Sequence, residues 1–178
     1  MPGRRAVFLD RDGVINQAIL RDGKPHPPSG VSELEIVEGA AGALRDLKQA
    51  GFLLIVVTNQ PDIARGKLDR AAVDAIHQAL CETLPLDDFF ICAHDDSDHC
   101  DCRKPLPGLL LRAAEKYHID MPRSFIIGDR WRDVDAGARA GCATVWIDYG
   151  YREKHSVAEP SAKVDSILAA ADWILRQS

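Results

Sequence analysis

The chain has no run of about 18 consecutive apolar residues, so no segment of it reads as a membrane-spanning helix. Its opening, MPGRRAVFLDRDG, has two arginines before Asp10 but too short an apolar stretch there for a secretory leader. There is no basic excess: 22 Lys and Arg face 27 Asp and Glu, a net charge of −5. Nucleic acid is held mainly by surplus cations, so this balance disfavours it as a partner. A small anionic substrate stays open, because it needs only a local pocket of positive charge. Repeats and low-complexity tracts are missing. So is an even set of cysteines: Cys81, Cys92, Cys100, Cys102 and Cys142 are five, three of them clustered. This excludes a disulfide framework and points to reduced thiols, a metal and a cytoplasmic location.

What is present is an ordinary soluble composition, 46% hydrophobic and 28% charged over 178 residues. That length predicts one domain, residues 1–178, with a core that needs no staples, acting as a monomer. Short apolar runs alternate with helical periods, the pattern of an α/β protein with a Rossmann-like, doubly wound parallel sheet. Strands are expected at 5–9, 52–57, 89–93, 125–127 and 144–147. Helices are expected at 40–50, 69–84, 108–118, 134–140 and 166–175. The stretch 22–30, DGKPHPPSG, reads as loop because of its prolines and glycines. Cys81 and Cys142 sit in apolar surroundings and are expected in the core.

Polar residues follow the strand ends, where open α/β sheets bind their ligands. VFLDRDGVIN delivers Asp10 and Asp12, two residues apart and on one face while the chain stays extended. Paired acids suit a hard cation such as Mg²⁺. A calcium-loop reading fails, because Arg21 stands where the twelfth-place glutamate is needed. LLIVVTNQ ends in Thr58, Asn59 and Gln60, whose hydroxyl and amides can hold phosphoryl oxygens. CDCRKPLPG presents Arg103 and Lys104; taken alone, such a pair is usually surface charge. FIIGDRWRDVDAG supplies Asp129 to complete a metal site, with Asp133 one turn on to brace a cation.

The segment ICAHDDSDHCDCRKP spaces Cys92, His94, Cys100 and Cys102 so that three thiolates and an imidazole can enclose a zinc ion. Such a site is closed and therefore structural. His99 is a competing imidazole. The last cysteine directly precedes Arg103 and Lys104, so zinc in the 92–102 loop would stiffen the segment that presents both cations.

In this order and at these strand ends, the four groups resemble the signature motifs of the haloacid dehalogenase-like phosphatases, from Val7 to about Tyr151. The resemblance implies that Asp10 is the nucleophile and forms an aspartyl-phosphate, while Asp12 is general acid and then base. It implies that Thr58 and Lys104 hold the phosphoryl group. Asp10, Asp129 and the Asp12 backbone carbonyl would surround Mg²⁺. The chain is also similar, through DRDGVIN, VVTNQ, IARG and C-x-H…C-x-C-RKP-x-PG, to the subgroup of D-glycero-D-manno-heptose 1,7-bisphosphate 7-phosphatases and histidinol-phosphate phosphatases. By that likeness Arg103 recognises substrate. The chain departs from the pattern at Glu38, Pro61-Asp62 and Arg130, and the tail DYGYREKH (148–155) does not map onto it.

The core elements and the zinc loop use up the intervals between motifs, so no cap domain is expected. Recognition then falls to loops 15–28, 62–66, 92–102 and 149–152, with Arg65 and Trp131 as further candidates. A bisphosphate needs extra cations, which Arg103 and Arg65 supply. Histidinol phosphate would instead use Asp95, Asp96 and Asp98. A non-catalytic zinc-stabilised binding module would lack a catalytic group, and none is missing.

Overall fold

The computed structural model describes residues 3–22, 24–153 and 156–178. Gly23 of the expected 22–30 loop, Lys154 and His155 of the tail, and the first two residues lie outside this set. In chain order the strands are β1 (Ala6–Leu9), β2 (Ile19–Arg21), β3 (Lys24–His26), β4 (Leu53–Asn59), β5 (Asp88–Cys92), β6 (Phe125–Gly128), β7 (Ala143–Ile147) and β8 (Ala162–Val164). The helices are α1 (Ala40–Gln49), α2 (Pro61–Ala64), α3 (Arg70–Thr83), α4 (Gly108–Tyr117), α5 (Trp131–Ala140) and α6 (Ile167–Gln177).

Six strands form one parallel sheet in the order β5-β4-β1-β6-β7-β8. All four residues of β1 are fully buried, as a central strand covered on both faces requires. Alternation divides them. Val7 and Leu9 join α1 and α6 in one core, with Leu44, Leu47, Ala171 and Ile174. Ala6 and Phe8 join α4 and α5 in the other, with Leu110, Ala113 and Ala136. Helices therefore cover both faces of the sheet, as the sequence pattern implies. Asp69 caps α3 by accepting from the Ala71 amide, and Ser166 caps α6 by accepting from Ala169.

Four details depart from expectation, the first being that the expected 62–66 loop starts within a short helix, α2. The 22–30 stretch is not all loop: β2 and β3 make a small antiparallel hairpin, with Asp22 at φ 51° in the turn. Pro25 is tolerated because a two-stranded ribbon leaves one edge of each strand without ladder partners. A sixth strand, β8, extends the sheet beyond β7. Cys142 is buried, but Cys81 is exposed. It lies one residue beyond Leu80, off the stripe of Val73, Ile76 and Leu80 that α3 buries. Among the described residues no helix is long and apolar enough to cross a membrane.

Candidate active site

The strand order explains how residues 120 positions apart can meet. β4, β1 and β6 are neighbours, and the chain leaves β1 toward β4 and later returns on its other side to β6. Their carboxyl ends carry Thr58, Asp10 and Asp129 along one rim, at the switch point where α/β sheets place their ligands. A cleft of about 570 Å³ opens there, lined by Asp10, Asp12, Asn59, Lys104, Asp129 and Asp133 among others.

Lys104 reaches this rim from the loop after β5. Its ammonium is buried and donates to Asp10 Oδ1 (2.9 Å), Asp133 Oδ1 (2.6 Å) and the Val57 carbonyl (2.8 Å). Burial alone would depress its pKa, but Asp10 and Asp133 outweigh burial and move it upward, so Lys104 stays charged. Asn59 commits both ends of its amide to the Lys104 backbone, donating to its carbonyl (3.1 Å) and accepting from its amide (3.0 Å).

Asp12 has different company. Its Oδ1 accepts from Arg11 Nε (3.2 Å) and Nη2 (3.0 Å) and from Asn16 Nδ2 (3.0 Å). Its Oδ2 accepts from Gln60 Nε2 (2.9 Å), which also donates to Thr58 Oγ1 (3.0 Å). β1 ends at Leu9 and the chain turns at once, so the two acids do not stay on one extended face as the i, i+2 spacing suggests. Asp10, Asp129 and Asp133 instead bring carboxylate oxygens within 4.8 Å of one another, and the Asp12 carboxylate is not in that group.

These three acids repel one another. Burial, then Asp133 and Asp12, raises Asp10 from its ordinary value to about 6, against the pull of Lys104. Burial, then Asp10 and Asp133, raises Asp129 well above the usual carboxylate range. Asp129 Oδ1 is buried without a hydrogen-bond partner. Gly13, at φ +87°, lies so close that a Cβ there would stand 2.2 Å from Asp129 Oδ2. Crowded, raised carboxylates with an unpartnered buried oxygen are a donor set that fits a hard dication.

Cys92, His94, Cys100 and Cys102 form a second cluster within 4.8 Å. Cys102 Sγ lies 3.1 Å from Cys92 Sγ and 3.3 Å from His94 Nδ1, and Cys92 and Cys100 are 3.7 Å apart. Three thiols and one imidazole converging on a common point are the donor set of a closed, tetrahedral zinc site, and the residues present fit that ion. His94, not His99, is the imidazole of the group.

Of the recognition candidates, Arg103 and Arg65 line the cleft. Arg103 donates to Asp96 Oδ1 (2.7 Å), and Arg65 grips Asp95 with Nε (2.7 Å) and Nη2 (2.6 Å). Trp131 lines a separate cavity of about 230 Å³ beside Asp129. Tyr149 donates its hydroxyl to the Gly13 carbonyl (2.9 Å). Three residues escaped the sequence reading. Arg11 is wholly buried and donates from Nη1 to His77 Nε2 (3.1 Å), and Arg132 lines the cleft and donates to the Lys104 carbonyl (3.1 Å). An arginine between two acids at the end of a buried strand was a signal for Arg11. Nothing in sequence ties His77 to that pair.

A six-stranded parallel sheet with paired acids and a buried lysine at its switch point defines a haloacid dehalogenase-like hydrolase, and the chain belongs to that family. A family model described as HAD-hydrolase-like matches residues 101–171. The chain is 37% identical to a D-glycero-beta-D-manno-heptose-1,7-bisphosphate 7-phosphatase of Escherichia coli (strain K12), over 96% of this chain and 87% of the relative. It is 33% identical to a protein of the same name from Bordetella bronchiseptica, over 98% and 99%. The crystal structure of D,D-heptose 1,7-bisphosphate phosphatase from B. bronchiseptica complexed with magnesium and phosphate superposes with a TM-score of 0.84 at 32% identity, covering 98% of this chain and 99% of that one.

Proposed function

We propose that this single-domain enzyme is a Mg²⁺-dependent phosphatase that hydrolyses a sugar bisphosphate, D-glycero-D-manno-heptose 1,7-bisphosphate at the 7-phosphate. The observation that carries the reading is the meeting of Asp10, Asp129 and Lys104 at one rim. Asp10 is the nucleophile and forms an aspartyl-phosphate. Its raised pKa and its bond to Lys104 suit a carboxylate that must approach a polyanion. Asp10, Asp129 and the Asp12 backbone carbonyl would hold Mg²⁺, with Asp133 beside them. The ion supplies charge screening for the phosphoryl oxygens. Lys104 adds a fixed positive charge and needs no reorganisation, since the Val57 carbonyl and two carboxylates already orient it.

Asp12 protonates the departing sugar oxygen, then takes a proton from the water that opens the aspartyl-phosphate. Arg11 and Asn16 fix its Oδ1, so Oδ2, held only by Gln60, is the oxygen that carries the proton. Thr58 holds the phosphoryl group. Gln60 and Asn59 act one step back, orienting Asp12 and the Lys104 backbone. Zinc in the four-residue cluster stiffens the loop behind Arg103 and Lys104. Thiolate ligands require reducing surroundings, which supports a cytoplasmic enzyme.

A bisphosphate is favoured over histidinol phosphate because the zinc-loop acids are already committed: Asp95 to Arg65 and Asp96 to Arg103. None of Asp95, Asp96 and Asp98 is among the residues that line the cleft, whereas Arg21, Arg130 and Arg132 line it together with Arg65 and Arg103. A phosphate-release comparison of heptose 1,7-bisphosphate, fructose 1,6-bisphosphate and histidinol phosphate, with and without Mg²⁺, tests this. The heptose compound is expected to be turned over best, and only with the metal. Preference for histidinol phosphate would overturn the substrate assignment.

A further inference from the structure

Two arginines at the outer end of the cleft share one carboxylate. Asp96 Oδ1 accepts from Arg103 Nε at 2.7 Å and lies 3.5 Å from Arg132 Nη1. Arg132 is anchored by donating to the Lys104 carbonyl, and Arg103 Nη1 leans on the His94 carbonyl at 3.4 Å. Arg132 is thus tied to the backbone of the reacting lysine, and Arg103 to the backbone of the cysteine loop. Their exposure differs sharply from their partner's: the side chains of Arg103 and Arg132 are 12% and 27% exposed, that of Asp96 is 64% exposed. Both arginines line the cleft, and Asp96 reaches them from the short turn at 96–98, at the surface.

We propose that Asp96 is the internal counter-ion of an anion subsite formed by Arg103 and Arg132, and that the second phosphoryl group of the substrate must displace it. Partly buried cations need a counter-charge when no substrate is bound. A carboxylate that is mostly in water supplies it weakly, since exposed ion pairs contribute little. A phosphoryl group brings more charge, and its oxygens match the paired N–H groups of guanidinium. The arginines stay fixed while the carboxylate swings out. Displacement sets a threshold that a neutral hydroxyl cannot meet and a dianion can. Asp96 then determines specificity by competition: it taxes every ligand that uses the outer subsite and leaves the reacting end untouched.

The inference rests on the bisphosphate reading, and the test separates the two. KM is measured for heptose 1,7-bisphosphate and for heptose 7-phosphate, on the wild-type enzyme and on Asp96→Asn, with melting temperatures to confirm folding. The ratio of the bisphosphate KM to the monophosphate KM is expected to fall by about 2- to 5-fold in the variant, the factor that an exposed ion pair is worth. In an Arg103→Ala background the same change is expected to shift the ratio less. If wild-type enzyme hydrolyses the bisphosphate but Asp96→Asn leaves the ratio unchanged or raises it, Asp96 is no competitor and the inference falls alone. If wild-type enzyme does not hydrolyse the bisphosphate, the substrate reading falls and takes this inference with it.

Discussion

Arg11 has no exposed surface, yet it carries a full charge between Asp12 and the ring of His77. A guanidinium can only donate, so His77 Nε2 must accept and the ring must be neutral. Burial, then the charge of Arg11, drives the His77 pKa down to about 4, and stacking on Phe89 at 4.3 Å between ring centres holds it in place. A histidine depressed on folding takes up a proton in the unfolded chain first, so stability is lost as pH falls from about 6.5 toward 4. The difference in unfolding free energy between wild type and His77→Gln should therefore shrink by on the order of 1–2 kcal/mol from pH 7 to pH 4.5, measured by urea denaturation. A separate expectation concerns Asp10. Asp10→Asn keeps the shape but removes the proposed nucleophile, and kcat for phosphate release should drop by about 10³-fold or more, with no acid-stable phosphoenzyme trapped. At this scale the sequence was legible in placing Asp10 and Asp129 after strands and Lys104 in the loop after β5, which the structure brings together at one rim. It was silent where a role depends on a tertiary partner, as for His77 against Arg11 and Arg132 against Asp96.

Among elements, the loop between β5 and α4 carries the most consequence. Its cysteines and His94 sit immediately before Arg103 and Lys104, and Asp101 accepts the amide of Gly108 at the start of α4. A Cβ on Gly108 would meet the Asp101 carbonyl at 2.3 Å, so loop and helix are packed to contact. Metal analysis is expected to find one zinc per chain. Removing it with a strong chelator should lower the melting temperature by about 10 °C or more and reduce kcat, because such a site contributes on the order of 10 kcal/mol of folding energy. The strands of the main sheet were readable from their apolar runs. β8 was not, because Ala-Lys-Val is short and half-exposed at the edge of the sheet. The β2–β3 hairpin was hidden by a proline, which argues against a central strand but not against a two-stranded ribbon.

Over the whole molecule, stability and activity pull against each other at the rim. Asp10, Asp129 and Asp133 are held together by the fold although burial and repulsion oppose the ionisation of Asp10 and Asp129. Asp129→Asn relieves that repulsion. Metal-free, at pH 7.5, the variant should melt several degrees above wild type, since about 1 kcal/mol moves a chain of this size by ~2–4 °C. It should also lose phosphatase activity and the thermal stabilisation that millimolar Mg²⁺ gives the wild type, both read by thermal scans and phosphate release. A wild-type protein that melts above the variant without metal would mean that the carboxylate cluster is not strained.

The sheet also has a second rim, at the amino ends of the same strands, where turns such as that at Gly51 return the chain from α1 to β4. There the backbone leaves open space around the glycine, and no member of the acid cluster or its lysine hangs from it. The molecule therefore has a working side and a handle: a fusion partner, a spectroscopic label or an immobilising linker joined at the handle leaves the mouth of the cleft facing the solution.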